Sequence, residues 1–445
     1  MWITIKDSSE IGWDGGVRAL HVELDHPDSL IPVWSRNNKD GLDEVKGVQE
    51  TFGPSSPCHS LHTLKTRQYF HEPEPGFCMA LTIKLLTSQS VDQDSLETHD
   101  AVFNALLVHS YHMFCLFMGT MTSALQVSSQ PEVELEQLKI RTSYFFSKHL
   151  QLMPLEDADL ADAYLGIQFL PLDKLSFLKV RSLVSHVEQT FPWINSSTVL
   201  YQDQIVWTGL CQEDVQLFYN YLTTGLFPAS EQLNPDTRYL TGPSDVHSQS
   251  SETRLPRVFL NHSKSQPDEC HLVVYRISGV TICLFIPASF ELDRDFFLSL
   301  DALLGPRMMS LCADIVEQAV LRKNPSALNV GNDSSIRFLY FNQWNMAFKS
   351  TLHQCSPGHR RVLQCQPSAS NDVIKTCADL SEDLTCFGEG EIVVKTKSDA
   401  WVLGKLSNQR HLYVVVTRKN AELVEICDEV RRLKNVLFKE ILLLE

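Results

Sequence analysis

The sequence lacks an excess of positive charge. Its 445 residues include 38 lysines and arginines against 54 aspartates and glutamates, so the formal net charge is -16. Proteins that bind nucleic acid need a positive field along the phosphate backbone. No nucleic-acid partner is therefore predicted.

Long apolar runs are also missing. No stretch reaches the roughly 18 consecutive apolar residues of a membrane-spanning helix, and the best run, residues 280–286, has the length of a strand. Residues 1–16 lack the basic and apolar regions of a signal peptide. The 12 cysteines are scattered and form no CxxC pair, which is typical of reduced cytosolic proteins. A cytoplasmic chain without a spanning segment is expected.

Nucleotide-binding and catalytic motifs are absent as well. There is no GxxxxGKS or GxxxxGKT loop and no GxGxxG loop, the patterns that usually hold nucleotide phosphates. HExxH, GxSxG and kinase-loop patterns of enzymes are missing too. No catalytic residue and no cofactor are predicted.

Two groups of residues have side chains that could bind a metal. His353, Cys355, His359 and Cys365 do not follow the spacing of a zinc site, and an exposed loop is the favoured interpretation. His109 and His112 are three residues apart on a predicted helix, but the apolar neighbours of this pair favour a buried helix over a metal site. No metal is predicted.

Hydrophobic periodicity is what the sequence does contain, and it is clearest in the last third. A strand is predicted at residues 336–341 and a helix at 372–384. Three strands follow at 391–397, 400–405 and 411–417, and then an amphipathic helix from residue 423.

The same order of elements appears twice earlier in the chain. In the middle third, the patterns predict strands at 199–201, 205–207, 257–260, 271–277 and 280–286, and helices at 213–222 and from 296, with a break or kink at Gly305 and Pro306. In the first third they predict a helix at 42–52, strands at 60–70 and 77–86, and helices at 101–125 and 133–149. Three α+β units in tandem follow from this repetition.

Composition changes mark the boundaries between the units. Surface excursions rich in polar residues and proline are predicted at 229–252, 323–335 and 354–370. The predicted domains are residues 1–150, 196–324 and 335–445, with a helical connector at 151–195.

A helix at 172–191 within this connector could belong to the first or the second unit. Its cations Lys174, Lys179 and Arg181 alternate with apolar residues, a pattern that suits either packing on a core or contact with a membrane surface. Packing is the favoured interpretation. Trp207 and Trp401 lie near glycines on predicted strands, and core packing is likewise favoured over a role as partner anchors.

Several segments resemble the Ccz vacuolar fusion proteins in residue identity as well as in hydrophobic pattern. They are SLHT at 60–63, RQYF at 67–70, FLPLDK at 169–174, LY at 200–201 with QIVW at 204–207, YLTT at 221–224, LTGP at 240–243, YFN at 340–342 and SDAWVLGK at 398–405. The matches keep their order from about residue 41 to the C-terminus. As a set they identify the chain as similar to that family.

The resemblance implies three tandem longin domains, each an antiparallel sheet flanked by helices. It further implies a heterodimer with the Mon subunit that acts as guanine-nucleotide exchange factor for the late-endosomal Rab GTPase, with no covalent chemistry of its own. The expected location is cytoplasmic and peripheral on the late endosome, lysosome or vacuole membrane. Vesicle fusion with that organelle is the expected process.

The resemblance has one departure and one alternative. Residues 1–39 do not resemble the opening strands of the family, so either a divergent strand near 17–24 completes the first domain or that domain is incomplete. The alternative function is a subunit of another tri-longin exchange complex, of the lysosome-related-organelle type.

In the family, the first longin domains of the two subunits pair to form the Rab-binding platform. The candidate contact residues are therefore Leu42, Val45, Val48 and Phe52 on the predicted first helix, and Arg67, Tyr69 and Phe70 on the adjoining strand. A cation beside two aromatic rings is typical of an interface anchor. The competing interpretation is that Tyr69 or Phe70 fills the core and Arg67 only covers the sheet edge.

Overall fold

The structure is a computed structural model of the chain. It describes residues 2–6, 21–23, 60–62, 66–74, 77–84, 100–125, 131–153, 158–230, 237–243, 253–260, 267–323, 335–354, 366–367, 369–418 and 422–441. The chain divides into two compact units, Met1–Ala163 and Tyr164–Glu445. The first unit contains one sheet, and the second contains two large ones.

The first domain has a five-stranded antiparallel sheet. Its strands are β1 (Trp2–Lys6), β2 (His21–Glu23), β3 (Ser60–His62), β4 (Thr66–Glu74) and β5 (Phe77–Lys84). Its helices are α1 (Asp100–Met118), α2 (Met121–Leu125) and α3 (Pro131–His149), followed by a 3-10 turn (Leu150–Leu152) and α4 (Leu160–Tyr164).

Two differences from the sequence prediction concern this sheet. Residues 1–39, which do not resemble the family, supply two strands, because β1 pairs with both β2 and β5. Residues 60–70 are two antiparallel strands and not one, since Ser60 pairs with Tyr69 and His62 with Arg67. The apolar pattern continues from β3 into β4, and no glycine in the sequence indicates the turn between them.

The second domain has a seven-stranded sheet. Helix α5 (Lys174–Thr190) precedes the sheet, whose strands are β6 (Ser196–Tyr201), β7 (Gln204–Thr208), β8 (Tyr239–Pro243), β9 (Thr253–Arg254), β10 (Arg257–Leu260), β11 (Asp268–Ile277) and β12 (Val280–Pro287). Its other helices are α6 (Gln212–Tyr221), a π turn (Leu222–Leu226), α7 (Phe227–Ser230) and α8 (Arg294–Lys323).

Two predictions for this domain were wrong. The excursion at 229–252 contains β8, whose Tyr239 is buried and donates a hydrogen bond to the Phe297 carbonyl oxygen at 2.9 Å. Helix α8 continues through Gly305 and Pro306, where a break or kink was expected. Proline removes a single backbone donor, and burial of side chains on both sides of it, Leu304 among them, keeps the helix on the sheet.

The third domain has a five-stranded sheet. Its elements are β13 (Ile336–Asn342), β14 (Ala347–Ser350), the small pair β15 (His353–Gln354) and β16 (Gln366–Pro367), α9 (Asn371–Phe387), β17 (Gly390–Lys395), β18 (Trp401–Ser407), β19 (Arg410–Val416) and α10 (Leu423–Ile441). The helix and the meander of three strands agree with the prediction. Strand β14 was not predicted.

All three sheets have the same strand order. Counted over the strands of the sheet, the first and third domains run second, first, fifth, fourth, third, and the second domain follows the same order when its additional strands β9 and β10 are left out of the count. In the second domain α6 covers one face, where Phe218 meets Phe285 at 4.8 Å between ring centroids, and α8 covers the other. The α+β class with three antiparallel sheets flanked by helices is thus confirmed.

The second and third domains are joined by backbone pairing. The segment before α5 adds Ile167 to the edge of the third sheet, exchanging hydrogen bonds with Met346 (2.7 Å) and Phe348 (2.8 Å). Three residues later Leu170 donates to Ile205 of the second sheet at 2.9 Å. A side chain at Gly166 would place its Cβ 2.1 Å from that of Phe348, so this close approach requires glycine.

Two helices, α1 and the 294–319 part of α8, are long and apolar enough to cross a membrane. Both contribute buried residues to sheet-based cores, such as Phe114 of α1 and Leu300 of α8. Core helices of soluble proteins commonly have this composition, so length and hydropathy alone are weak grounds for a membrane span.

Candidate functional site

Strand β4 carries the second half of the signature segment, and its side chains alternate between two different surroundings. Tyr69 points into the core and is fully buried, with its ring stacked on Phe103 of α1 at 5.2 Å. Phe70 faces the opposite side of the sheet and is half-buried. Because successive residues of a strand point to opposite faces, the two rings cannot both be anchors on one surface.

The hydroxyl of Tyr69 is hydrogen-bonded to the first residue of α1. It donates a hydrogen bond to Asp100 Oδ1 at 3.0 Å, and the Ser60 hydroxyl donates to Asp100 Oδ2 at 3.2 Å. His62 Nε2 lies 3.0 Å from Asp100 Oδ1. Three residues of the signature segment, from β3 and β4, thus converge on one carboxylate.

This environment shifts the titration of Tyr69. Burial is the largest cause, and the adjacent Asp100 carboxylate adds to it, so the pKa of the hydroxyl is well above its ordinary value. Arg67, two residues away on the same face of β4, opposes the shift. Tyr69 is therefore a neutral hydrogen-bond donor at any physiological pH, and its contacts hold α1 on the sheet.

The candidate contact residues separate into three groups. Tyr69 is a core residue in the structure, so the role of exposed anchor falls to Arg67 and Phe70, which are half-buried. The predicted first-helix residues Leu42, Val45, Val48 and Phe52 lie outside the described residues. In the second and third domains α6 and α9 occupy the corresponding place in the chain, between the second and third strands.

Sequence reasoning missed the central role of Asp100. Ser60 and His62 alternate on β3 and so share a face, which was a usable signal. Asp100 is 31 residues beyond Tyr69 in the chain, and nothing in its neighbourhood marks it as their common acceptor. Only the packing of α1 against β3 and β4 brings these groups together.

The two histidines considered as metal ligands do not face one ion. His109 is buried and His112 is exposed. His109 instead lies near His149 of α3, with 6.4 Å between ring centroids. Burial is the main cause that lowers the pKa of His109 to about 3 and that of His149 to about 4, so both rings are neutral.

Among the described residues, no three His, Cys, Asp or Glu side chains are grouped to hold a metal ion. Of the second candidate group, only His353 is in the described part, on β15. Cys355, His359 and Cys365 lie outside the described residues.

Helix α5 belongs to the core of the second domain. Val180, Val184 and Val187 are fully buried with the side chains of β6, β12 and α8. Trp207 of β7 lies beside α5, half-buried, with the Arg181 guanidinium 4.3 Å above its ring and Phe177 at its edge. The interleaved cations and the apolar residues Leu175, Phe177 and Leu178 face outward and do not join that core.

Comparison with known protein families assigns each domain. Residues 45–119 match the family described as the first longin domain of INTU, CCZ1 and HPS4. Residues 194–305 match Intu longin-like domain 2, and residues 332–433 match Intu longin-like domain 3. These assignments agree with the three sheets.

Whole-chain relatives are also found. A vacuolar fusion protein CCZ1 homolog of Xenopus laevis is 36% identical over 445 residues, covering 94% of this chain and 92% of the relative. One of Nematostella vectensis is 38% identical and covers 89% of this chain and 87% of its own length. One of Dictyostelium discoideum is 22% identical over 97% of this chain and 95% of the relative.

Proposed function

The chain belongs to the family of vacuolar fusion protein CCZ1 homologues, and from this premise we propose that it is one subunit of a heterodimeric guanine-nucleotide exchange factor. Its partner is the Mon subunit and its substrate is the late-endosomal Rab GTPase. The observation that carries the proposal is the combination of whole-chain similarity to CCZ1 homologues with three longin-like sheets of one strand order.

Exchange requires no covalent chemistry. A Rab holds its nucleotide through its phosphate loop, magnesium and ordered switch segments. A protein that binds the nucleotide-free, switch-open form more tightly weakens nucleotide binding by the same factor. Each tenfold acceleration of release needs about 1.4 kcal/mol of preference for the open form. A platform of sheets and helices can supply this preference without a catalytic residue.

The first domain is the proposed Rab-facing part. Arg67 of β4 is half-buried and so has area left for a partner, whereas Phe70 lies on the opposite face of the strand and can contact only a different surface. The predicted helix with Leu42, Val45, Val48 and Phe52 is proposed to complete this surface. Tyr69 supports the surface from beneath by holding α1 through Asp100.

We expect exchange to require both subunits. Nucleotide release from the late-endosomal Rab is timed with this chain, with Mon and with the two together. The pair should accelerate release by at least about tenfold over either subunit, because half a platform contacts too little of the Rab to favour its open form. Full activity of this chain alone would contradict the proposal.

Charge reversal at Arg67 tests the location of the surface. In an intact dimer, Arg67→Glu should slow exchange at least about tenfold, a loss of about 1.4 kcal/mol from the open complex. Arg431→Glu is the matched control, since Arg431 is an exposed arginine of α10 in the third domain. Unchanged exchange with Arg67→Glu would move the Rab surface elsewhere.

The proposed location is cytoplasmic and peripheral on the late endosome, lysosome or vacuole membrane, in keeping with the vacuolar fusion named for the relatives. With a net charge of -16, the isolated chain should float weakly with anionic liposomes, because like charges repel. Strong, salt-resistant flotation without a partner would contradict recruitment through partners.

The alternative is a subunit of the lysosome-related-organelle exchange complex. The first-domain family groups INTU, CCZ1 and HPS4 and so does not separate these functions by itself. The whole-chain relatives named as CCZ1 homologues favour the first proposal. Exchange assays against Rabs of both organelles, with the same heterodimer, distinguish the two.

A further inference from the structure

The outer face of α5 exposes large apolar side chains between its cations, and nothing in the described structure covers them. Leu175 and Leu178 are 63% and 53% exposed, while Val180 and Val184 on the inner face are fully buried. An amphipathic helix on a protein surface normally places polar side chains outward. This helix therefore has one apolar face for its own core and a second one for something else.

Helix α8 shows the same excess of apolar surface. Met308 and Ile315 are fully buried against the second sheet, yet Met309 and Val316 on the outward side are 55% and 36% exposed. Ala313 lies between these two along the same stripe and is exposed. The outward side of α8 thus exposes apolar side chains between the exposed polar residues Arg307, Ser310 and Glu317.

The two helices lie side by side, so their outward faces are neighbours. The helices share the core of the second domain, and Lys179 Nζ of α5 lies 2.8 Å from Asp314 Oδ2 of α8. We name this the α5–α8 surface and define it by its exposed apolar residues, Leu175, Phe177, Leu178, Met309 and Val316. Groups of exposed large apolar side chains are a mark of interaction sites in soluble proteins.

The charges on this surface are mainly positive. Lys174, Arg181 and Arg307 are exposed, and Lys179 is neutralised by Asp314. The acidic residues beside them are Asp173, which accepts hydrogen bonds from the first turn of α5, and Glu317. A cationic rim around apolar side chains stands out in a chain whose net charge is -16.

The indole of Trp207 adds a polar atom without a partner. Its Nε1 is buried and has no hydrogen-bond partner among the described residues. Arg181 covers the ring at 4.3 Å. If Arg181 turns outward to meet a carboxylate, the aromatic surface beneath it becomes available as well.

From these features we propose that the α5–α8 surface docks an acidic amphipathic helix of a protein partner. The apolar face of the partner helix covers Leu175, Leu178 and Met309, and its carboxylates pair with Arg181 and Lys174. Helix-in-groove recognition uses this combination of apolar anchors and flanking charge. An anionic membrane fits less well, because stable attachment needs a larger basic cluster and the rest of this chain is strongly acidic.

The test uses the full chain and a defined probe. The probe is a fluorescent synthetic helix of about 18 residues with leucine on one face and glutamate elsewhere, followed by fluorescence anisotropy. Leu178→Glu should weaken its binding at least about tenfold, the size expected for an interface anchor. Arg181→Glu should weaken it by about threefold or more. Val424→Glu is the matched control, because Val424 is an exposed apolar residue of α10, and it should change nothing.

Two further probes separate the possible occupants. The same peptide with lysine in place of glutamate should bind at least about tenfold more weakly. Vesicles of phosphatidylcholine with about a quarter phosphatidylserine should not be bound. Equal binding of both peptides, no binding of the acidic peptide, or vesicle binding that Leu178→Glu abolishes would each overturn the proposal. Thermal unfolding of each variant confirms that it is folded.

Discussion

The first and second domains hold their long helix on the sheet with the same kind of contact. In the first, Tyr69 of β4 donates to Asp100 of α1 at 3.0 Å. In the second, Tyr275 of β11 donates to Asp301 of α8 at 2.7 Å. Both tyrosines are fully buried on the strand next to last in their domain's sheet, β4 or β11, and both aspartates lie on the helix that follows the last strand, β5 or β12.

The surroundings of the two contacts differ. Asp301 also accepts two hydrogen bonds from Arg238, at 2.9 and 3.1 Å, whereas Asp100 is approached by His62. On the other face of β11 Leu272 and Val274 are fully buried, while on β4 Phe70 is only half-buried. The tyrosine–aspartate contact is thus shared by the two domains and stabilises the fold. A function specific to the first domain should be sought among the residues that differ around this contact.

The largest expected effect comes from removing the tyrosines. Tyr69→Ala and Tyr275→Ala should each lower the free energy of unfolding by about 3–5 kcal/mol, because each leaves a cavity the size of a ring. Since the chain has two compact units, native-state hydrogen exchange should report each loss in its own unit. A loss below about 1 kcal/mol at either site would show that the two contacts are not equivalent.

The second largest expected effect is a loss of stability of the first unit at acidic pH. His109 and His149 have pKa values of about 3 and about 4 in the folded state, below the ordinary 6.5. Above about pH 6.5 both states hold these histidines neutral, so they have no effect on stability. As the pH falls below that value, the unfolded chain gains protons that the folded chain does not, and stability is lost.

Between about pH 8 and pH 5.5 the two histidines together should lower the free energy of unfolding by about 3 kcal/mol. In the second domain burial, followed by Arg257, also lowers the pKa of His271, but this ring is half-exposed and its effect should be smaller. Hydrogen exchange of the first unit as a function of pH measures the effect. The dependence of the first unit's stability on pH should become flatter in the double variant His109→Leu/His149→Phe. An unchanged pH dependence in this variant would refute the assignment to these two histidines.

The smallest expected effect is the difference in stability loss between substitutions of the two aspartates, Asp100 and Asp301. Asp301→Asn weakens a paired charge that is mostly buried and should lower the free energy of unfolding by about 1–2 kcal/mol. Asp100→Asn keeps an oxygen for Tyr69, and its carboxylate is more exposed, so the loss should be about 1 kcal/mol or less. Urea unfolding curves of the two variants give the comparison. A larger loss for Asp100→Asn would mean that its contact with His62 outweighs that of Arg238 with Asp301.

Sequence periodicity was sufficient for most elements of the second and third domains. The run of β12 and the meander of β17, β18 and β19 lie at their predicted places, because strands of this kind repeat apolar residues over five or more positions. Strands β8 and β14 were missed, since each has at most five residues and lies among polar or turn-forming ones. The predicted domain boundaries at 150, 195, 324 and 335 remain predictions.

The candidate site was less predictable than the fold. Arg67, Tyr69 and Phe70 could be placed on a strand from their sequence, but not assigned to its faces. Which face is buried depends on where α1 lies, and that depends on contacts between residues far apart in the chain.

The sequence by itself determined the class of fold, the threefold repetition and the family, because these depend on local periodicity and on ordered motifs. The tertiary structure decided that Tyr69 belongs to the core, that Ser60 and His62 meet Asp100, and that Leu175 and Leu178 of α5 face outward. The physical reason is that burial and pairing are properties of elements in contact. A helix with apolar residues on two sides does not indicate which side its own domain covers until the sheet beneath it is in place.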